Sequence, residues 1–477
     1  MDPKFLGIDL GTTSVKVVLI SADGILLKSV SYPTSADVPS SIGCKGCEQN
    51  VVEIIKALQK CMAEIIDDGK PCVSKVGISG QMHGVMMWKS SHMKKYREGL
   101  SIKTGGDTTA SFFESTSNLI TWQDQRCDPD FLQSLPSPDS HLTLATGQGC
   151  PTLIWLKKNQ PDLLLQYDCA GTVMDFLVAI LCQRSRPLMT FQIAASWGYF
   201  NCQKGQWNQR QLEEADFPMA LLPEVVSSGE PAGSLQSDWL GVSDGTILLA
   251  ALGDMQCAVC SSLKQSNHAV LNMSTSCQLS FPMMHPDFKL PVTPDPESSV
   301  QYFPYFDGIY IAVAASLNCG NVLAGYVSMI QKWMANLGVN IDETKIWQNF
   351  LTQSADIKGE VDLPVIHPTL YGERHCPSQR GYMENITTDN LELGAIFRAL
   401  CKGIVRNIHE MMSSSFLKEN GVSTLACTGT VIARNELVKR EIDLLYGGIE
   451  REYGHSCDSA YGAALVAAKG IPKFQMV

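Results

Sequence analysis

Phe5-Leu-Gly-Ile-Asp9-Leu-Gly-Thr-Thr-Ser14-Val-Lys-Val-Val-Leu-Ile20 lies near the start of the chain. An apolar run of strand type ends on a carboxylate, Asp9, and a short turn returns the chain into a second apolar run. Gly11 has no Cβ, so the backbone of this turn can come close to an anion. Thr12, Thr13 and Ser14 add N–H and hydroxyl donors. A carboxylate beside phosphate donors suits Mg²⁺, which takes oxygen ligands and retains water. The alternative is an ordinary hairpin, because turns favour the same residues. No Gly-Lys-Ser/Thr follows, so this is not a Walker A loop.

Working outward, Ala22-Asp23-Gly24 turns the chain into a third strand, Ile25–Tyr32. Asn50 and Glu53 predict a capping box on an amphipathic helix carrying Val51, Ile54, Ile55, Leu58 and Met62, stopped by Gly69 and Pro71. Val73–Ile78 is a buried strand ending at Ser79-Gly80. The segment Lys89–Asn118, rich in Ser, Thr, Gly and Lys and without a period, reads as a long mobile loop. Helices are predicted over Leu153–Lys158 and Met174–Gln183. The opening pattern restarts at Thr246–Leu252, a strand ending in Gly253-Asp254. Strands Ala269–Met273 and Gln278–Phe281 follow, joined by Ser274-Thr275-Ser276. A long helix from Asp389 with Glu392 as its box partner, a strand Leu425–Thr428, a helix from Asn435 and the small-residue helix Ser459–Lys469 complete the pattern. Strands alternating with helices give an α/β fold. The repeated pattern predicts two similar lobes facing a cleft, residues 1–245 and 246–477, divided after the polar stretch Ser227–Asp244.

The 477 residues suffice for two domains. With 45% hydrophobic and 18% charged residues, the chain reads as globular with sizeable cores, not as a disordered one. A formal net charge of −11 without a basic face argues against nucleic acid as a partner. No apolar run reaches the ~18 residues of a membrane span. Met1–Lys4 leads straight into a strand, and the 17 scattered cysteines fit reduced thiols. Together these predict a cytoplasmic protein without membrane contact, a monomer or homodimer. Cys44-Lys-Gly-Cys47 lacks the second ligand pair that a structural zinc site needs.

Asp254 follows a buried strand. A carboxylate there can accept the proton of a sugar hydroxyl as phosphoryl transfer proceeds; the alternative is a helix N-cap. Ser274-Thr275-Ser276 is either a plain turn or, opposite Asp9–Ser14, the second face of a phosphate site. His83 alone reads as a buried, satisfied histidine. Trp122 is either core or a stacking platform.

The chain resembles the FGGY carbohydrate kinases from Gly7 to about Lys469. The resemblance rests on motifs in order: Gly7-Ile-Asp-Leu-Gly-Thr-Thr-Ser14, Gly77-Ile-Ser-Gly-Gln-Met-His-Gly84, Trp122-Gln-Asp-Gln-Arg126, Trp155 through Pro161, Gly253-Asp254, Ser274-Thr275-Ser276, Pro368-Thr-Leu-Tyr-Gly-Glu-Arg-His-Cys-Pro377 and Ser459-Ala-Tyr-Gly-Ala-Ala464. It implies two RNase H-like lobes of the actin/Hsp70 ATPase type around a central cleft, with ATP and Mg²⁺ as cofactors and a small-molecule ketose as substrate. By the same resemblance Asp254 is the base, and Asp9 and Asp254 hold the metal. Gly11, Thr12, Thr13, Ser14, Ser274, Thr275, Ser276, Gly320, Gly429, Thr430 and Asn435 bind the nucleotide. Gln81, Met82, His83, Trp122, Asp124 and Arg126 bind the sugar with Asp254. Glycerol kinases carry a charged Arg-Glu pair where Met82-His83 stands, and the Met-His form is similar to ketose kinases. One departure is Cys427-Thr-Gly-Thr-Val-Ile-Ala-Arg-Asn435, where Gly429 stands alone in place of consecutive glycines. The Cβ of Thr430 would hold backbone away from the adenine. Chain length, the 89–118 segment and the lone glycine point within the family to a seven-carbon ketose phosphorylated on its terminal hydroxyl. A five-carbon ketose is the alternative, and an actin- or Hsp70-like ATPase without a sugar substrate is the alternative of another class.

Overall fold

The computed structural model describes residues 2–66, 72–102, 107–356, 363–454 and 457–472. Two mixed sheets organise it. The first runs in the order Pro231–Ser234, Ile247–Leu249, Val73–Gly80, Lys4–Leu10, Ser14–Ser21, Leu26–Pro33, and Leu252–Gly253 also pairs with Val73–Gly80. The second runs Val300–Pro304, Tyr310–Ser316, Cys277–Pro282, His268–Met273, Thr424–Thr428, Glu450–Tyr453. Each sheet contains an antiparallel hairpin with a third antiparallel strand outside it, and a parallel strand pairs on the hairpin's other side. This is the RNase H-like topology expected from the sequence, built twice.

Register explains why the strand ends matter. Lys4–Leu10 and Val73–Gly80 run parallel with Asp9 opposite Ser79. Leu252–Gly253 runs parallel to the same strand, with Gly253 opposite Gly80. Asp9 and Asp254 therefore emerge at one edge of one sheet. The strands Ile247–Leu249 and Leu252–Gly253, read from sequence as the start of the second half, hydrogen-bond into the first sheet.

The lobes meet through the helix Ser459–Lys469, which lies against the first sheet and the helix Asp254–Ser262. A Cβ on Gly7 would stand 1.9 Å from the carbonyl oxygen of Ala460, one on Gly77 2.2 Å from that of Ala463, and one on Gly462 1.9 Å from that of Cys257. Small residues let these backbones touch. Around this seam a core forms from Val18, Ile20, Leu252, Val270, Val313, Ala426 and Ala463, drawn from both sheets and from the helix.

Asn50 caps the helix Val51–Ile65 by accepting from the Val52 N–H, but Glu53 pairs with Lys56 at 2.9 Å and closes no box. Gly69 and Pro71, the expected stop, lie outside the described residues. The helix expected from Asp389 begins later, at Leu393, with Glu392 in the cap position and no side-chain cap bond.

The largest correction concerns Lys89–Asn118. Its described residues form a 3-10 turn at Ser90–His92, a helix at Met93–Leu100 and a 3-10 stretch at Asp107–Phe112, where a mobile loop was expected. Tyr96 is fully buried, stacked on Phe113 at 5.8 Å and edge-on to Phe176 at 5.3 Å, with its hydroxyl donating to the Ser115 carbonyl. Arg97 donates to the Leu181 and Ser237 carbonyls. A few large anchors bury this segment, and an average over its polar residues hides them. Tyr96→Ala should destabilise the protein by about 3–5 kcal/mol, the usual cost of deleting a buried aromatic side chain, and early proteolytic cuts should spare residues 89–102. Denaturant melts and limited proteolysis check this; an unchanged midpoint would contradict it.

Candidate active site

Asp9 and Asp254 sit half-buried at the shared sheet edge. Ser79 Oγ donates to Asp9 Oδ1 at 3.1 Å, and the Met255 N–H donates to Asp254 Oδ1 at 2.7 Å. Gly253, not Asp254, occupies the N-cap of the helix Asp254–Ser262, so the capping alternative for Asp254 fails. Burial pushes the Asp9 carboxyl up to about 7, and the Asp254 charge adds to the rise while Ser79 opposes it. Burial also pushes Asp254 up to about 6 against its backbone hydrogen bonds. Asp458, which adds to the rise at Asp9, is held by Lys16 at 2.5 Å and caps the seam helix at Tyr461. Two carboxylates whose proton affinity is raised by burial, and at Asp9 also by the Asp254 charge, each keep an oxygen that no described donor fills, and form a site that a divalent cation would relieve. Among the described residues no group of three or more His, Cys, Asp or Glu gathers as a metal site.

The first loop is braced from behind. The Thr12 carbonyl accepts from Gln49 Nε2 at 2.8 Å and Thr34 Oγ1 at 3.0 Å, and the Thr13 carbonyl accepts from the Thr34 N–H. The Gly11 N–H donates to the Ser14 carbonyl, leaving Thr13 exposed at the turn. In the second lobe, Ser274-Thr275-Ser276 joins His268–Met273 to Cys277–Pro282, with Thr275 and Ser276 exposed. The Gly320 N–H donates to the Ser274 carbonyl, and the Asn321 N–H to the Thr275 carbonyl.

A cavity of about 540 Å³ opens beside this second loop. The structure gathers Ser274, Thr275, Gly320, Thr430 and Asn435 around it, and adds Trp347, Leu351 and Arg434, which the sequence reading did not single out. Trp347 lies in the helix Glu343–Asp356, a segment to which the sequence reading assigned no element. Gly429 has φ 104°, and a Cβ there would meet the Met273 carbonyl oxygen at 2.2 Å. Gly429 is thus the one position of Gly429–Thr430 where geometry demands glycine; Thr430 already begins a helix. Asn435 accepts from the Leu437 and Val438 N–H groups as a helix cap.

The sugar segments divide. Asp124 is 0% exposed: Oδ1 accepts from Arg126 N and Nε, and Oδ2 from Arg126 Nη2 and the Cys47 N–H. Arg126 also reaches Glu48 at 3.0 Å and lies over the Trp155 ring. Gln81 Nε2 donates to Gln49, which carries the brace on to Thr12, while Gln81 Oε1 is buried without a described partner. Met82 is buried. Trp122 is exposed, and its Nε1–H donates to Thr12 Oγ1 at 3.0 Å, so it tethers the turn after Asp9. His83 places Nδ1 3.0 Å from the Ser196 carbonyl. A carbonyl only accepts, so Nδ1 carries the hydrogen and Nε2 remains an acceptor. Burial lowers the His83 pKa to about 4, with Arg374 contributing, so the ring is neutral at physiological pH. His83 lines a second cavity, of about 280 Å³, with Met255, Ser276 and Arg374.

Residues 4–261 match the family model described as "FGGY family of carbohydrate kinases, N-terminal domain". The chain belongs to the FGGY family of carbohydrate kinases. Within it, the chain is 44% identical to the sedoheptulokinase of Mus musculus over 97% of both chains. It is 43% identical to that of Homo sapiens, again over 97% of both. Among solved structures, xylulose kinase from Rhodospirillum rubrum superposes with a TM-score of 0.77 at 14% identity, covering 98% of this chain and 90% of that one. That likeness carries the fold alone. The chain is an ATP-dependent carbohydrate kinase of two RNase H-like lobes.

A carboxylate whose folded pKa is raised binds more protons folded than unfolded, so its contribution to stability falls as pH rises. For Asp9 the window lies between about 4 and about 7. Asp9→Asn should therefore gain stability over the parent as the pH passes from 4.5 to 8, on the order of 1–2 kcal/mol in the ligand-free protein. Denaturant melts at the two pH values check this; a pH-independent difference would contradict it.

Proposed function

We propose that this FGGY kinase transfers the γ-phosphoryl group of ATP to the terminal hydroxyl of sedoheptulose, giving the 7-phosphate. The observation that carries the reading is the near-full-length likeness to two sedoheptulokinases. The geometry supports it. Asp254 accepts the proton of the attacking hydroxyl, and a carboxyl titrating at about 6 is mostly ionised at neutral pH while still basic enough for that transfer. Neutral His83 accepts a hydrogen bond from the sugar through Nε2. Thr12, Thr13 and Ser14 from the first lobe and Thr275 and Ser276 from the second donate to the phosphates. The cavity lined by Thr430, Trp347 and Arg434 takes the adenosine. Asp9 and Asp254 would hold Mg²⁺, whose charge offsets that of the phosphates during transfer.

The roles of Asp124, Arg126, Gln81 and Trp122 shift under this reading. Asp124, Arg126 Nε and Nη2, Gln81 Nε2 and Trp122 Nε1 are committed to the Asp124–Arg126 pair, to Glu48, to Gln49 and to Thr12, so these groups position the sugar wall and the phosphate loop. The second lobe carries the adenosine site, and Asp254 lies at the seam. No described helix is long and apolar enough to cross a membrane, and we read the protein as a cytoplasmic monomer or homodimer. Membership of a sugar kinase family removes the sugar-free ATPase alternative.

ADP release should depend on added sugar, with kcat/KM for sedoheptulose at least tenfold above that for xylulose. Asp254→Asn should lower kcat by about 10²–10⁴, the usual value of a positioned base, while ADP still binds. Coupled ADP-release assays over ketoses of five to seven carbons, with calorimetry of ADP binding, check both. Equal or reversed sugar preference would contradict the substrate, and a variant retaining a tenth of the parent rate would contradict the base.

A further inference from the structure

An open-chain seven-carbon ketose presents a hydroxyl on every carbon but one and a carbonyl on that one. The first lobe offers little to bind them. Both Asp124 oxygens and Arg126 Nε and Nη2 are engaged, Trp122 Nε1 is given to Thr12, Gln81 Nε2 to Gln49, and Met82 has no polar atom to offer. Of the residues the sequence singled out for the sugar, Gln81 Oε1, Arg126 Nη1, His83 Nε2 and Asp254 Oδ2 remain without a described hydrogen-bond partner.

Across the cleft the second lobe presents a polar wall. Gln278 and Gln301 project from one face of the second sheet, where Gln278 pairs with Ala315 and Gln301 with Val313, into the cavity that His83 lines. Neither side chain has a hydrogen-bond partner among the described residues. Arg374 lines the same cavity and makes no hydrogen bond or salt bridge with a described residue. Its neighbour Glu373 is fully occupied elsewhere: Oε1 accepts from Ser316 Oγ, Asn318 Nδ2 and Asn407 Nδ2, and Oε2 from the Leu317 N–H. This buried carboxylate anchors the turn and leaves the Arg374 guanidinium aimed at the cleft. The guanidinium and His83 line one cavity, and its charge acts on the imidazole. Arg374 is a fork of donors facing an acceptor, and two amides that donate and accept stand beside it.

We propose that Gln278, Gln301 and Arg374 complete the sugar site from the second lobe, binding the part of the ketose that the first lobe leaves without partners. The inference rests on the seven-carbon substrate reading. Sugar bound by both lobes also favours their closure, so these residues couple sugar binding to exclusion of water from the transfer. A five-carbon ketose, anchored by its terminal hydroxyl at Asp254, offers this wall fewer partners. The wall therefore sets chain-length preference. Polar site groups left unpaired by a shorter substrate are an effective source of discrimination.

The test is steady-state kinetics of Arg374→Met, Arg374→Lys and Gln301→Leu with sedoheptulose and with xylulose, varying ATP in parallel, on protein whose melting temperature matches the parent. In Arg374→Met the KM for sedoheptulose should rise about tenfold or more, the scale of a hydrogen bond to a charged group. The KM for ATP should stay within twofold, and the preference for the seven-carbon over the five-carbon sugar should shrink. Arg374→Lys should recover part of the loss, and Gln301→Leu should show a smaller loss of the same kind. An unchanged KM for sedoheptulose in both Arg374→Met and Gln301→Leu, or equal losses on both sugars, overturns the inference while parent activity on sedoheptulose leaves the substrate reading standing. A parent enzyme inactive on sedoheptulose overturns that reading, and this inference with it.

Discussion

Three backbone carbonyl oxygens lie where a methyl group would otherwise have to go. Those of Ala460, Ala463 and Cys257 approach Gly7, Gly77 and Gly462 so closely that no Cβ fits. This contact fixes the last helix against the two central strands of the first sheet and against the helix that Asp254 begins. The core around it draws on both sheets, so the seam is where one lobe is held to the other. Strand register does the remaining placement: parallel pairing sets Asp9 level with Ser79 and Gly253 level with Gly80.

Holding two carboxylates at one edge has an electrostatic cost. Both are pushed toward neutrality by burial, and Asp254 adds its charge to the burden on Asp9. A fold governed by stability alone would pair or expose them. Under the proposed mechanism a cation and a reacting hydroxyl would relieve the same strain, so its cost would reappear as affinity and basicity. The neutral, oriented imidazole of His83 follows the same logic: its hydrogen bond to the Ser196 carbonyl and its burial leave an acceptor facing the cleft.

The sequence made the fold readable because its signals were local. The Asp9 hairpin, the Asn435 cap and the repeated strand–turn–strand pattern each follow from short-range residue chemistry. It misled where side chains find distant partners. Residues 89–102 looked structureless because Tyr96 and Arg97 bury themselves against groups far along the chain, Phe176 and Ser237. Asp124 and Arg126 looked like free sugar ligands because nothing in Trp122–Arg126 shows that they pair with each other. Gln278 and Gln301 carry no motif at all; strand pairing alone puts them on one face. Arg374 lay in a quoted motif, but its freedom becomes visible only once Glu373 is seen to be engaged by four other groups.

The dependence of catalysis on the seam is tested most directly by the turnover number of Gly462→Ala. In an ordinary helix this change stabilises by roughly 0.5–1 kcal/mol. Here the new methyl group must displace the carbonyl of Cys257, one turn along the helix from Asp254. A displacement of that order at a reacting group costs rate steeply, up to about 10²-fold for 1 Å. The expected kcat is at least tenfold below the parent per mole of folded enzyme, with a lower melting temperature. A parent-like kcat with an equal or higher melting temperature would contradict it.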